Sequence, residues 1–416
     1  MENKPTKEYI LKTYSFPLYP NDTQEQKLRR SFGTARYIYN YGLEVKKEVY
    51  EKCKKSVSYI ELARILTFIR ETLDWMRECS SVIQQQSLRH LDAAYQNFYR
   101  GLKQGDKPGF PEFKSKHGRQ AISYPVNVKV DFDSRKIHIP KIGELSYRNN
   151  RDFSGEIRTT TVVRSTTGKY YAQVLVQTNT PVPKPKKITP SKTMGIDVGL
   201  KNFAIFSDGT VIQNPKFFRE FEKKLQRVSR WFSRTKKGSN NRNKSRRRLA
   251  VVYEKSRNNR SNFLHQLTSR IVNDNQINCI CLEDLNVAGM GRNHNLSKSV
   301  HDAAFSEFKR QLQYKSNWLG KSVILIDRWA PSSKMCHNCG SINEELTLNQ
   351  REWDCSACGI HLDRDLNAAL NIKEIGLKKF AETQQDTHGK CGINASGEAS
   401  LVRSLVERGR AETVNV

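Results

Sequence analysis

Four cysteines stand in two pairs, Cys336-His-Asn-Cys339 and Cys355-Ser-Ala-Cys358, with 15 residues between the pairs. That spacing suits a closed zinc site of four thiolates. No ligand position is left open, so the zinc would be structural, and His337 is not needed as a ligand. Five residues past Cys358, Asp363-Arg-Asp365-Leu-Asn-Ala-Ala opens a helical pattern. Two more carboxylates have strand-like surroundings: Asp197 between Ile196 and Val198, and Glu283 at the end of an apolar run. Alone, each has an ordinary explanation. A strand-end Glu is usually solvated, and an Asp before a helix is usually an N-cap. Together, three carboxylates on two strand ends and a helix can converge on two Mg²⁺ ions, which favour a few hard oxygens plus water and phosphate. Two such ions about 4 Å apart can activate a water and stabilise the leaving 3′ oxygen of a phosphodiester. At this point Asp363 and Asp365 are both candidates. A metal knuckle beside two carboxylates points to a nucleic-acid enzyme with a zinc module inside its catalytic domain.

The elements that must hold these groups follow from periodicity. Tyr14, Phe16 and Leu18 alternate as a strand. Thr23-Gln-Glu-Gln26 has capping-box spacing before a helical run from Leu28 to Val49, and Ser58-Tyr-Ile-Glu61 repeats it. Residues 82–102 read as a third helix. After a Pro/Gly turn region at 105–116, alternation at Val126, Val128 and Val130 and at Ile137 and Ile139 reads as β. A hairpin at 159–164 and 170–177 closes near Gly168. The proline- and lysine-rich stretch from Asn179 to Pro190 marks a linker. Met194 to Gly209 then reads as strand, turn, strand. Further helices are expected at 217–232, 245–273 and 303–319, with strands at 278–282 and 322–327. From Thr383 apolar periodicity fades, and a disordered tail is expected apart from a helical turn near Leu401.

The chain has 416 residues, with 71 Lys and Arg against 42 Asp and Glu, a formal charge of +29. Such an excess attracts polyanions, nucleic acid first and a membrane surface second. Residues 214–262 carry 17 basic and three acidic residues, too unbalanced for i,i+4 pairing to neutralise. Lys223, Lys224, Arg227, Arg230, Arg234, Lys236, Lys237, Arg246, Arg247 and Arg248 are the candidate phosphate contacts. Met1 to Pro20 has no apolar signal-peptide core, and no run approaches the ~20 residues of a membrane span. The other five cysteines, Cys53, Cys79, Cys279, Cys281 and Cys391, lie scattered, which suits a reducing cytosol. Gly320-Lys321-Ser322 is not a P-loop end, because Lys315 stands where the first glycine should. No His-apolar-His pair occurs, so histidine-ligated tyrosine transposase chemistry is unsupported.

Gly195-Ile-Asp-Val-Gly199, Leu282-Glu-Asp-Leu-Asn286, Pro331-Ser-Ser-Lys-Met-Cys336 and the run from Cys355 to Ala369 resemble the TnpB (OrfB) family. That family is encoded by bacterial and archaeal insertion sequences and is related to type V CRISPR effectors. Leu18-Tyr-Pro20, Ala35-Arg-Tyr-Ile-Tyr-Asn40 and Gly109-Phe-Pro111 also fit, so the likeness spans roughly residues 10–380. It implies an α/β and α+β multidomain protein. An RNase H-like (RuvC) nuclease domain at 191–331 and 362–382 would carry a basic helical insertion at 214–275 and a zinc ribbon at 332–361. A wedge-type β-barrel at 1–20 and 106–180 would be interrupted by a helical recognition domain at 21–105. A linker at 181–190 and a tail at 383–416 complete the scheme. By motif match the acids are Asp197, Glu283 and Asp365, the last being two residues before the Asn of Asp-x-Asn-Ala-Ala. Tyr59, Gln85 and Gln86 fall where the family reads a target-adjacent motif. The resemblance implies a bacterial or archaeal cytoplasmic, nucleoid-associated endonuclease with two Mg²⁺ ions and one structural Zn²⁺. A guide RNA from the element's own transcript would direct it to double-stranded DNA, a monomer on each RNA being favoured and no membrane being involved. Guided binding without cleavage, or an accessory transposition role through DNA binding alone, are the alternatives.

Overall fold

The computed structural model describes residues 8–388 apart from 106, 149, 150, 348 and 349. Cys391 and the turn expected near Leu401 lie outside the described residues. The chain divides into two compact units, Met1–Val182 with Lys223–Lys255, and Pro183–Glu222 with Ser256–Val416. The middle of the basic segment, expected as an insertion in the nuclease domain, thus groups with the first unit.

The first unit begins with β1 (Tyr9–Tyr19), followed by α1 (Asp22–Cys53), α2 (Tyr59–Thr72), α3 (Asp74–Arg77) and α4 (Ser81–Lys103). Asn21 caps α1 in a reciprocal box with Gln24, two residues earlier than the expected Thr23–Gln26 pair. Asn takes the cap because its short side chain reaches the Gln24 N–H while the backbone is still extended. Ser58 and Glu61 form the second box as expected. Next come β2 (Gln120–Tyr124), β3 (Lys129–Asp131), β4 (Lys136–Ile139), β5 (Gly143–Tyr147), β6 (Glu156–Arg164) and β7 (Tyr170–Pro181). Gly168, at φ 88°, closes the β6–β7 hairpin. These strands form one sheet in the order β2-β6-β7-β1-β5-β4-β3, and no ladder joins β2 to β3 among the described residues. Leu28 and Phe32 of α1 and Ile83 of α4 share the core of this sheet with Phe16, Ile137, Leu145 and Val174.

The second unit holds β8 (Thr193–Val198), β9 (Asn202–Phe206) and β10 (Val211–Gln213). The basic pair α5 (Phe217–Arg234) and α6 (Asn240–Asn273) follows, the residues of each helix divided between the two units. On α6, Val252 is buried and its neighbour Tyr253 is exposed. Then come β11 (Cys279–Glu283), α7 (Val287–Arg292), α8 (His294–Ala303), α9 (Phe305–Trp318), β12 (Ser322–Ile326), β13 (Glu352–Asp354), β14 (His361–Asp363) and α10 (Arg364–His388). Residues 383–388, expected in the disordered tail, therefore continue α10.

The five-stranded sheet runs β10-β9-β8-β11-β12. β8, β11 and β12 are parallel, and β9 and β10 antiparallel. A strand covered on both faces should be apolar throughout, as Cys279-Ile-Cys-Leu282 is. Successive side chains alternate in face. Ile280 and Leu282 join a core with Leu264, Leu267 and Ile271 of α6 and Phe308 and Leu312 of α9. Cys279 and Cys281 point the other way, into a core with Ile372 of α10.

Candidate active site

Register places the acids. Leu282 pairs with Ile196 and Cys281 with Gly195 in parallel ladders. One residue further along, Glu283 and Asp197 stand side by side at the strand ends, and neighbouring strands lie ~4.8 Å apart. By alternation both belong to the face that carries Gly195, Cys281 and α10. The helix lies close against this face: a Cβ on Gly195 would sit 2.1 Å from the Ala369 carbonyl, and one on Gly376 would sit 2.4 Å from Cys281 Sγ. Glycine at both points lets α10 approach, and the first turn of α10 bears Asp365.

The electrostatics match this arrangement. Asp197 is half-buried as a residue, but its carboxylate is crowded by protein. Burial first, then Glu283 and Asp365, hold its carboxyl well above the usual range, opposed by the Arg364 guanidinium. Burial likewise raises Glu283, while a hydrogen bond from Ser332 lowers it. Ser332 Oγ donates that bond to Glu283 Oε1. Arg351 Nη1 reaches both oxygens of Asp365, at 3.1 and 3.2 Å. Two of the three acids thus have partners of their own, and they are not drawn into a tight ligand cluster. A buried carboxylate whose proton affinity is raised by two neighbouring carboxylates marks a site that a divalent cation would stabilise. The neighbouring Asp284 is held low by Lys309, at 2.9 Å, and is also bridged by Arg328, at 3.2 Å.

Asp363 has a different role. Its Oδ1 accepts from the Leu366 N–H at 2.8 Å, making it the N-cap of α10.

The four cysteines gather as expected. Their sulfurs all lie within 4.8 Å of one another, the one such cluster of metal-ligating groups among the described residues. Cys336 Sγ is 3.7 Å from Cys358 Sγ, and Cys339 Sγ is 3.5 Å from Cys355 Sγ. A tetrahedron with Zn–S bonds of ~2.3 Å has edges of about 3.8 Å, so the residues fit zinc. His337 stays out of the cluster, its Nδ1 lying 3.1 Å from Asn367 Oδ1.

The module is fastened to α10 by two buried asparagines that the sequence reading did not single out. Asn367 donates to the Met335 carbonyl at 2.7 Å and accepts from the His337 N–H at 2.9 Å. Asn371 donates to the carbonyls of Ser332, at 2.7 Å, and Met335. Ser332, Arg351 and these asparagines lay within or beside the quoted motifs, yet only tertiary contact reveals their partners.

Elsewhere, all ten candidate phosphate contacts from Lys223 to Arg248 are exposed. Arg248 also lies over the Trp231 ring, 4.5 Å from its centroid. Tyr59 opens α2 with the Arg89 guanidinium 5.6 Å over its ring; on α4, Gln85 is exposed and Gln86 half-buried.

Family comparison gives independent context. A model described as "Probable transposase" matches residues 172–294, and a "Cas12f1-like, TNB domain" matches 305–372. A "Helix-turn-helix domain" model matches 10–55, where this chain forms β1 and one continuous helix. A Streptomyces pristinaespiralis protein named "Putative RNA-guided DNA endonuclease" is 35% identical over 89% of this chain and 91% of its own length. The similarly named InsQ of Escherichia coli K12 is 33% identical over 88% and 92%. A solved Cas12f1–sgRNA–target DNA complex has a TM-score of 0.54 at 15% identity, covering 88% of this chain and 99% of that one. A mini-RNA-guided endonuclease, CRISPR-Cas_phi3, gives 0.51 at 10%, covering 89% and 93%. At these identities the likeness concerns the fold.

Proposed function

The chain belongs to the TnpB (OrfB) family, and we propose that it is an RNA-guided DNA endonuclease of a transposable element. The observation that carries the reading is the convergence of Asp197, Glu283 and Asp365, from three elements distant in sequence, so that each of the other two raises the proton affinity of Asp197. The five-stranded sheet with α10 is read as the RuvC-like nuclease core, and the seven-stranded sheet with α1–α4 as the wedge barrel and recognition bundle.

Two Mg²⁺ ions held by Asp197, Glu283 and Asp365 would supply a Lewis acid for the attacking water and the leaving 3′ oxygen. The protein's own part is positioning. Strand ends fix Asp197 and Glu283, and rigid elements hold such groups better than loops do. Ser332 orients Glu283 and favours its ionised form. Arg351 and Arg364 supply positive charge around carboxylates that would otherwise repel one another. Cys336, Cys339, Cys355 and Cys358 would hold a structural Zn²⁺ and so brace the segment carrying Ser332, Arg351 and the start of α10. The ten exposed basic residues bind phosphates of the guide RNA, drawn from the element's own transcript, and of double-stranded DNA. Base pairing then reads sequence, while Tyr59, Gln85 and Gln86 read a short adjacent motif. The bacterial relatives fit action in a bacterial cytoplasm at the nucleoid, one monomer per RNA.

The test is to sequence the RNA that copurifies with the protein, then supply that complex with matching duplex and Mg²⁺. Guided cutting that Asp365→Ala abolishes, with RNA retention unchanged, is expected. Target binding with no cutting by the unmodified protein would defeat the nuclease reading.

A further inference from the structure

We propose that the indole of Trp329 is a stacking platform for a base of the DNA strand that enters the Asp197–Glu283–Asp365 centre. This rests on the nuclease reading above. Trp329 is 85% exposed, more than any other large apolar side chain of the described residues. Among those residues no aromatic or cationic group covers its ring. The exposed Trp75 and Trp231 differ, since they pack against Tyr37 and Arg248.

A lone surface tryptophan needs no explanation by itself. Here the surroundings give one. Trp329 sits on the short segment between β12 and the first cysteine pair, and two residues of that segment, one on each side of Trp329, are tied to consecutive acids at the tip of β11. Arg328 Nη2 bonds Asp284 Oδ2 at 3.2 Å, and Ser332 Oγ bonds Glu283 Oε1. Between the ties, the Trp329 N–H donates to Asp327 Oδ1 at 2.7 Å, and the Ser332 N–H to the Ala330 carbonyl at 2.8 Å. Three residues of chain span at most about 11 Å, which bounds the distance from Trp329 to the serine that touches Glu283. The fold therefore fixes a bare aromatic face beside a nuclease centre, at a cost in exposed apolar surface.

A flat aromatic holds any base, because every base has a π-face. That suits an enzyme whose sequence choice comes from a guide. It would grip the strand without preference while the backbone is presented to the acids. Removing such a stack weakens binding about 5- to 150-fold.

The experiment uses the full chain with its copurified RNA. Trp329→Phe identifies the Trp329 emission by difference from the unmodified protein, and a single-stranded oligodeoxynucleotide is titrated in. Quenching of that difference emission is expected. In cutting assays Trp329→Ala should raise KM about 5- to 150-fold with kcat little changed, and Trp329→Tyr should restore it. The thermal midpoint should not move, the side chain being exposed. Difference emission indifferent to DNA, emission already quenched by the RNA alone, or an unchanged KM in Trp329→Ala would each overturn the proposal. If the unmodified protein never cuts, the nuclease reading fails separately, and the emission titration still decides whether Trp329 meets DNA.

Discussion

At Asp197, burial and two neighbouring carboxylates oppose ionisation. In the unfolded chain this group titrates near 3.8. Without metal, the folded protein holds the proton more tightly than the unfolded chain. The resulting contribution to stability is therefore full below about pH 3.8 and is lost as pH rises through the raised folded value. Asp197→Asn removes the charge. In chelator at neutral pH this variant should unfold at a higher temperature than the parent, with the advantage vanishing toward pH 4. Thermal scans across pH would check this, and a flat difference would count against the burial account. The same variant should not cut DNA. Ser332→Ala removes the bond that lowers Glu283. Its pH–rate profile should keep its shape while the acid limb moves to higher pH; a loss of rate equal at every pH would mean that Ser332 has another role.

The contact between β8 and α10 sets the site's dimensions. Gly195→Ala would drive a methyl into the Ala369 carbonyl, and overpacking of this kind costs about 1–3 kcal/mol or more. A lower denaturant midpoint and weaker cutting should appear together. Asn371→Ala leaves the Ser332 carbonyl without its donor, at about 1–3 kcal/mol. That loss should loosen the zinc module from α10, seen as faster proteolysis between 332 and 363 with zinc content intact. Much of this frame was legible in the sequence. β1, β8 and β11 announce themselves by alternation or an unbroken apolar run, α1 and α2 by apolar spacing and caps, and α4 by helical spacing alone. The helix α7 escaped because Val287-Ala-Gly-Met-Gly-Arg292 carries two glycines and reads as loop. β5 and β10 are short and gain their order from neighbours. The acids were visible as types at strand ends. Their company was not, because the Glu283–Asp197 adjacency depends on a ladder between segments over 80 residues apart. The partners Ser332 and Arg351 lie in connecting segments where no period constrains them.

At the scale of the molecule, charge dominates. A formal +29 makes binding to RNA strongly dependent on salt, and each phosphate contact to a single strand adds about 0.7 to the slope of log K against log salt. Replacing Arg246, Arg247 and Arg248 with glutamine should lower that slope by about 2, measured by filter binding from low to moderate salt. An unchanged slope would remove these three from the RNA interface. No helix among the described residues is long and apolar enough to cross a membrane. The late position of α10 bears on how the protein comes into being. Synthesis runs at about 5–20 residues per second, so α5 and α6 leave the ribosome several seconds before Asp365 does. A nascent chain can thus present its basic helices to RNA, including its own message, while its third acid is still unmade. On the proposed assignment of Asp365, the ability to cut would arrive last, on a chain already able to be occupied.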